Sequence, residues 1–200
     1  MLVRSRLFCL ALVFVVSACQ TEDKRPQPRF VSDASETGNA VTSAYAPKTA
    51  SHANASGYFI EFRSRYALSY GHTYVIFGRA QNGKMINPEV AGLHPSSDSE
   101  VPYVMGHFIP VPAETGWSDG DLEEGYRSAS WRVMLSQSQY NSVVSNIRKL
   151  QASSPVWHAA LYNCNAFVAD IARSMGYKTP SIQLRPQQFV TELRQMNTRS

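Results

Sequence analysis

The chain has 200 residues, 44% of them hydrophobic, and a formal net charge of +4. That length suits one compact domain plus a leader or linker. Between Gly57 and Ser200, 13 Lys+Arg stand against 11 Asp+Glu, a net +2, which argues against nucleic acid as a partner.

The N-terminal stretch "MLVRSRLFCLALVFVVSAC" starts with Arg4 and Arg6, continues with an apolar run from Leu7 to Val16, and ends in small residues. This is the order of a secretory signal, and the apolar run is too short to span a bilayer. Val16, Ser17 and Ala18 directly before Cys19 resemble the lipobox of bacterial lipoproteins. The resemblance implies a signal peptide over 1–18, diacylglyceryl transfer to Cys19, cleavage before it, and acylation of the new amino terminus by a chain such as palmitate. Cys9 would leave with the signal. Each buried methylene contributes about 0.8 kcal/mol, so several acyl chains hold a protein to a membrane far more firmly than one. The alternative is an ordinary signal peptide cut nearby, with a soluble product. Gln20 stands where an aspartate would resemble an inner-membrane retention signal, so the expected place is the outer membrane, lipid-anchored and facing the periplasm.

Residues 20–56 are rich in Ser, Thr, Ala, Asn and Pro and poor in bulky apolar groups. Such a segment buries too little surface to offset its ordering entropy, so 19–56 reads as an acylated cysteine followed by a flexible tether. Aromatic and β-branched residues become frequent from Gly57, and 57–200 is the expected folded domain.

Within that domain strands come first. "YFIEFRSRY" (58–66) alternates, and "HTYVIFG" (72–78) is apolar on both faces, as a central strand is. Asn82-Gly83 then predicts a tight hairpin turn, because both central residues of a type I′ turn need positive φ. "MGHFIPV" (105–111) and "YRSASWRVML" (126–135) are further strand candidates, with turn-rich loops at 92–102 and 112–125 that are either lids or plain connections. Helices follow. Ser136 with Gln139 forms a capping box ahead of the stripe Tyr140, Val143, Val144, Ile147, Leu150. Asn163 is a candidate cap for a helix carrying Phe167, Ile171 and Met175 and ending at Gly176. Pro186 opens a third helix, with Phe189, Leu193 and Met196 facing inward. A meander of antiparallel strands packed against helices is an α+β fold.

Once Cys9 and Cys19 are set aside, Cys164 is the only cysteine, so an intrachain disulfide is excluded as its purpose. At a helix N-terminus, free N–H groups and the helix dipole stabilise a thiolate, and the expected pKa lies below the ordinary ~8.5. The plain alternative is a small buried hydrophobe. Among the histidines, His72 opens the central strand, His107 lies in a strand candidate, His94 in a Pro/Ser-rich loop, and His158 precedes the cysteine helix. No CxxC or HxxxH spacing points to zinc, so neither a metal nor a cofactor is expected.

"GHTYVIFG" and, about ninety residues on, "YNCNAFVADIARSMG" resemble the permuted papain-like group of lecithin:retinol acyltransferase-like and NlpC-type proteins. The match is His72 at a strand start and Asn163-Cys164-Asn165-Ala166-Phe167-Val168 at a helix start, within Gly57 to Tyr177. The resemblance implies a permuted papain-like domain in which Cys164 is the nucleophile and His72 its base, acting by covalent acyl transfer. It also implies a polar residue on the following strand that orients the imidazole. Asn87 and Glu89 are the candidates, two apart and so on one face. A simple two-residue turn places Leu93 opposite His72, so Glu89 is nearer and is preferred, with a bulge or looser turn needed to bring it into reach. In the envelope, the expected substrate is an amide bond in peptidoglycan peptides or a related acyl group. Tyr70, Tyr74, Trp117, Trp131 and Trp157 are either an aromatic cleft or packing. The competing class is a non-catalytic envelope lipoprotein using the same fold for binding or scaffolding.

Overall fold

Every residue of "FIEFRS" in the first strand and "HTYVIFG" in the second is buried, as strands with both sheet faces covered require. These are β1 (Gly57–Arg65) and β2 (His72–Gln81). With β3 (Lys84–Gly92) and β6 (Arg127–Leu135) they form an antiparallel sheet in the order β3-β2-β1-β6. The computed structural model describes residues 56–67, 70–97 and 99–198. The expected signal peptide over 1–18, Cys19 and the expected tether as far as Ala55 lie outside the described residues.

A second sheet is small: β4 (His94–Pro95), β5 (Val111–Glu114) and β7 (Val156–Trp157), in the order β4-β5-β7. The helices are α1 (Val101–Met105), α2 (Gln137–Ser153), α3 (Cys164–Ser174) and α4 (Pro186–Thr198). The fold is therefore α+β, as the sequence predicts.

One sheet face presents Ile60, Phe62, Val75, Phe77, Trp131 and Val133 to Phe167 and Ile171 of α3 and Phe189 and Leu193 of α4 in one core. At roughly 1.5–3 kcal/mol for each large apolar side chain fully buried, this layer dominates stability. The other face carries a smaller cluster of Phe59, Tyr74, Ile76 and Ala80, beside a buried ion network. There Glu61 accepts from Arg63 Nε at 2.6 Å and Arg132 Nε at 2.5 Å, and Arg63 Nη1 reaches Glu124 Oε1 at 2.6 Å. Burial raises the Glu61 pKa, but the two guanidiniums outweigh it and hold the carboxyl below its usual value.

The local signals behave as their chemistry requires. Asn82 and Gly83 take φ of 50° and 75° in the β2–β3 turn. Ser136 and Gln139 form the reciprocal capping box of α2, and Gly176 adopts φ 82° just beyond α3. Two expectations fail. Met196 is exposed rather than inward, the buried place at the end of α4 going to Asn197. The stretch 105–111 is not a strand: Pro102, placed at a helix first turn, starts α1 over Val101–Met105, and β5 begins only at Val111.

The register of β2 against β3 contains the feature that matters for the site. Phe77 pairs with Glu89 but Arg79 pairs with Ile86, so Asn87 and Pro88 together stand opposite Gly78 in a β-bulge. Asn87 takes φ 44°, Pro88 has no N–H to offer the ladder, and Gly78, at φ 157°, passes close to Pro88. The extra residue moves everything after it by one place. Tyr74 therefore faces Gly92, and continuing the same register sets His94, not Leu93, opposite His72.

Candidate active site

The two asparagines of "NCN" hold the start of α3 in place. Asn163 caps the helix by accepting the Ala166 N–H at 3.0 Å, and its amide donates to Ala159 O at 2.8 Å and Ile182 O at 3.2 Å. Asn165 donates to Ile182 O at 3.0 Å and Leu184 O at 2.8 Å, and accepts the Thr73 hydroxyl at 2.6 Å. Both are buried, so each polar atom must find such a partner. Together they tie the first turn of α3 to β2 and to the segment before α4.

Cys164 lies between them, 4% exposed. Burial pushes its thiol pKa up, against hydrogen bonds from the Thr73 backbone, the Asn165 backbone, the Thr73 hydroxyl and its own backbone. This corrects the expected depression: at this helix start desolvation outweighs the free N–H groups. Thr73 faces α3, so His72, its neighbour in β2, is directed to the opposite face of the sheet, where it stacks on Tyr74. The Tyr70 pKa is raised by burial and then by the Cys164 charge, against the Arg185 guanidinium, which lies 5.2 Å from its ring centroid.

The His72 ring stacks on Tyr74, with centroids 5.6 Å apart, and meets His94 edge-on at 6.0 Å. It lies over Gly92, where an added Cβ would stand 2.8 Å from His72 Nε2. His72 is 7% exposed, and its Nε2 is buried with no hydrogen-bond partner. Burial lowers its pKa to about 4, the nearby Asp121 charge opposing this and the Arg65 and His94 charges adding to it. His94 Nδ1 lies 3.1 Å from Pro95 O. A carbonyl only accepts, so Nδ1 carries a proton there; Nε2 is also buried and without a partner.

Glu89 is not brought to His72. It pairs with Phe77, five residues along β2 and so about 16 Å from His72 at the usual strand rise. There it is half-exposed and forms an ion pair with Arg148 of α2. Asn87 is taken up by the bulge. The polar residue that does stand beside the imidazole, His94, is missed by counting from the turn. The Asn87-Pro88 pair was the available signal, since a strand proline is commonly found at a bulge.

The remaining candidates have structural positions. His107 meets Trp157 edge-on at 6.5 Å, and His158 Nδ1 accepts the Ala160 N–H at 3.1 Å in the turn before α3. Tyr74, Trp131 and Trp157 are buried, whereas Tyr70 and Trp117 are exposed. The 112–125 loop is pinned to the sheet by Asp121, which accepts from Arg65 Nε at 2.6 Å and Ser118 N at 2.7 Å, while its carbonyl takes the Tyr74 hydroxyl at 2.7 Å. Among the described residues, no three of His, Cys, Asp and Glu come together as metal ligands, and no helix is long and apolar enough to cross a membrane.

No family model matches the chain, and no curated protein or solved structure does. The reading of the site therefore rests on its own residues and on the two short motifs.

Proposed function

We propose that this protein is an envelope-anchored lipoprotein with a thiol hydrolase site, in which Cys164 is the nucleophile, His72 its base and His94 the residue that orients the base. One observation carries the reading: Cys164 stands in the first turn of α3, and Asn165 beside it accepts the hydroxyl of Thr73, the neighbour of His72 in β2, so the two motifs meet. The motif resemblance to permuted papain-like proteins gives the roles. His94 takes the place first given to Glu89.

At rest His72 stacks on Tyr74, on the face of β2 opposite Thr73, and neither its Nε2 nor that of His94 has a hydrogen-bond partner, so the reaction requires the imidazole to turn from that stack to the thiol. The raised thiol and lowered imidazole pKa values mean that both groups are neutral at rest. The proton then moves from sulfur to imidazole as sulfur attacks the substrate carbonyl. A backbone N–H at the helix start stabilises the oxyanion, an interaction worth about 3 kcal/mol in comparable sites. The imidazolium returns the proton to the departing amine or alcohol as the C–N or C–O bond breaks, and water hydrolyses the thioester. A periplasm-facing anchor favours amide bonds of peptidoglycan peptides, or related acyl groups, as substrate.

The test is the rate of Cys164 alkylation against pH in the full chain, with and without His72→Ala, alongside hydrolysis of stem peptides. A thiol that reacts near neutral pH only while His72 is present supports the nucleophile. A thiol inert until the domain unfolds overturns it. That result would favour the second reading, a binding or scaffolding lipoprotein, which the burial of both Cys164 and His72 supports.

A further inference from the structure

Among the described residues, the buried side-chain nitrogen and oxygen atoms without a hydrogen-bond partner are Nε2 of His72 and Nε2 of His94. Buried polar atoms in folded chains are paired almost without exception, so two orphans on neighbouring rings call for a ligand that serves both. The fold brings the rings together across strands. Continuing the β2–β3 register beyond Tyr74 and Gly92 sets His94 opposite His72, so both imidazoles leave the face of the sheet that carries Tyr74. Gly92, two residues before His94 on that face, has no side chain to fill the space beside His72 Nε2, where an added Cβ would stand 2.8 Å away. The His94 ring is set by Nδ1, which donates to Pro95 O at 3.1 Å. In the neutral ring this leaves the lone pair on Nε2, and a backbone carbonyl on the other nitrogen is the usual support of a metal-binding histidine.

We propose that His72 Nε2 and His94 Nε2 together bind one transition-metal ion of the nitrogen-preferring class, zinc or copper, with water completing its coordination. Imidazole nitrogen suits these ions, whereas magnesium and calcium need oxygen ligands that the pair does not offer. Metal–nitrogen bonds of about 2.0–2.1 Å hold two imidazoles on one ion with their centroids about 5–6 Å apart, according to the angle at the metal. The observed separation is 6.0 Å, so the rings reach a common ion by turning, with the strands where they are. The charged side chains that act on His72, Arg65 and Asp121, form an ion pair at 2.6 Å and largely offset each other. Water is the weaker occupant, because a buried water normally makes about three hydrogen bonds and only two unpaired nitrogens meet here. A bound ion bridges the start of β2 to the start of β4 and stabilises the fold by linkage. The inference goes beyond the hydrolase reading and does not rest on it. An ion needs His72 on the face it now occupies, whereas the proposed reaction turns the ring towards the thiol, so the two states exclude each other.

The experiment is a zinc titration of the full chain with isotope-labelled histidine, carrying Cys164→Ser and with any accessible thiol alkylated beforehand, so that no sulfur competes for the ion. Nuclear magnetic resonance of the imidazole nitrogens and the thermal midpoint are the readouts. The expected result is that two of the five histidines change their Nε2 resonances together, complete at one zinc ion per chain, while the midpoint rises. His72→Gln and His94→Gln should each remove the paired change and weaken zinc binding by about tenfold or more, the least that the loss of even an outer partner brings at known sites. His107→Gln and His158→Gln should leave both intact. Zinc held as tightly by His94→Gln as by the parent overturns the proposal. So do Nε2 resonances at His72 and His94 that stay unmoved at millimolar zinc, which would leave the pair to water. If His72→Gln does not fold, the parent spectrum and His94→Gln still decide, and neither depends on Cys164 chemistry.

Discussion

His94 meets His72 edge-on, with ring centroids 6.0 Å apart, because one extra residue at Asn87-Pro88 shifts the end of β3 by a single place. Without the bulge, the position opposite His72 would belong to Leu93, an apolar core residue. The bulge thus converts an apolar neighbour of the imidazole into a polar one. Both histidines bury an Nε2 that lacks a partner, which a structural pair would ordinarily avoid and a proton-handling pair uses.

Replacing His94 therefore tests orientation apart from stability. His94→Ala should slow Cys164 alkylation at neutral pH by about tenfold or more, the range seen when an orienting partner is lost. His94→Gln, which keeps an acceptor, should recover part of that loss. The pH profile is the distinguishing readout: the alanine variant should require higher pH to reach the wild-type rate, with the thermal midpoint of the glutamine variant close to wild type. Equal rates in all three proteins would leave His94 as packing only.

Much of the fold is legible from local chemistry. Asn82-Gly83, the Ser136–Gln139 box, Asn163 and Gly176 each act through groups adjacent in sequence, and each does in the structure what its residue type requires. Of the candidate site, the positions that rest on such signals hold: Cys164 starts α3 and His72 starts β2. Counting from the turn favours Glu89 over Asn87 and does not reach His94, because strand register is a long-range property, and a single bulge changes which residue faces which. The direction of the Cys164 shift differs from the expected one for a related reason. The helix start is visible in the sequence, whereas the depth of burial comes from β2 and the segment before α4, both distant along the chain.

The His72 shift has a consequence for stability. Folding holds this imidazole neutral, with its pKa lowered from 6.5 to about 4. Its contribution is complete above pH 6.5 and is withdrawn as pH falls towards 4. The difference corresponds to about 3 kcal/mol. Urea unfolding followed by circular dichroism at intervals from pH 7 to pH 4 should show wild type losing more stability than His72→Gln, which has nothing to protonate. Every other titratable group is common to both proteins, so the comparison isolates the imidazole. Parallel curves would mean that His72 is free to charge in the native state.

Gly92 supplies a steric test of the same ring. An alanine Cβ there would stand 2.8 Å from His72 Nε2 and 3.0 Å from Tyr74 Cβ, and the Tyr74 side is held by its hydroxyl bond to Asp121 O. The imidazole must move. Gly92→Ala should cost about 1–3 kcal/mol in a thermal or urea melt, the usual range for overpacking. It should also reduce hydrolysis or alkylation by more than the lost folded population explains. Unchanged reactivity in a stably folded variant would show that the ring position over Gly92 is not the one that activates the thiol.

Asn165 offers the sharpest separation of scaffold from chemistry, because its side chain makes three hydrogen bonds and none of its side-chain atoms is needed for proton transfer. It links Thr73 of β2 to the Ile182 and Leu184 carbonyls before α4. Asn165→Ala leaves all three partners to find new bonds in a buried setting. At a net of about 0.5–1.5 kcal/mol for each bond, the loss should reach about 2–4 kcal/mol. Asn165→Asp keeps the acceptor for the Thr73 hydroxyl but places a carboxylate against two carbonyl oxygens, so it should be no better than alanine at neutral pH and should improve as pH falls and the acid becomes a donor. Urea midpoints at pH 7 and pH 5 measure this directly. An aspartate variant as stable as wild type at pH 7 would mean that the Ile182 and Leu184 carbonyls do not depend on this amide, and that the start of α3 is held by Asn163 alone.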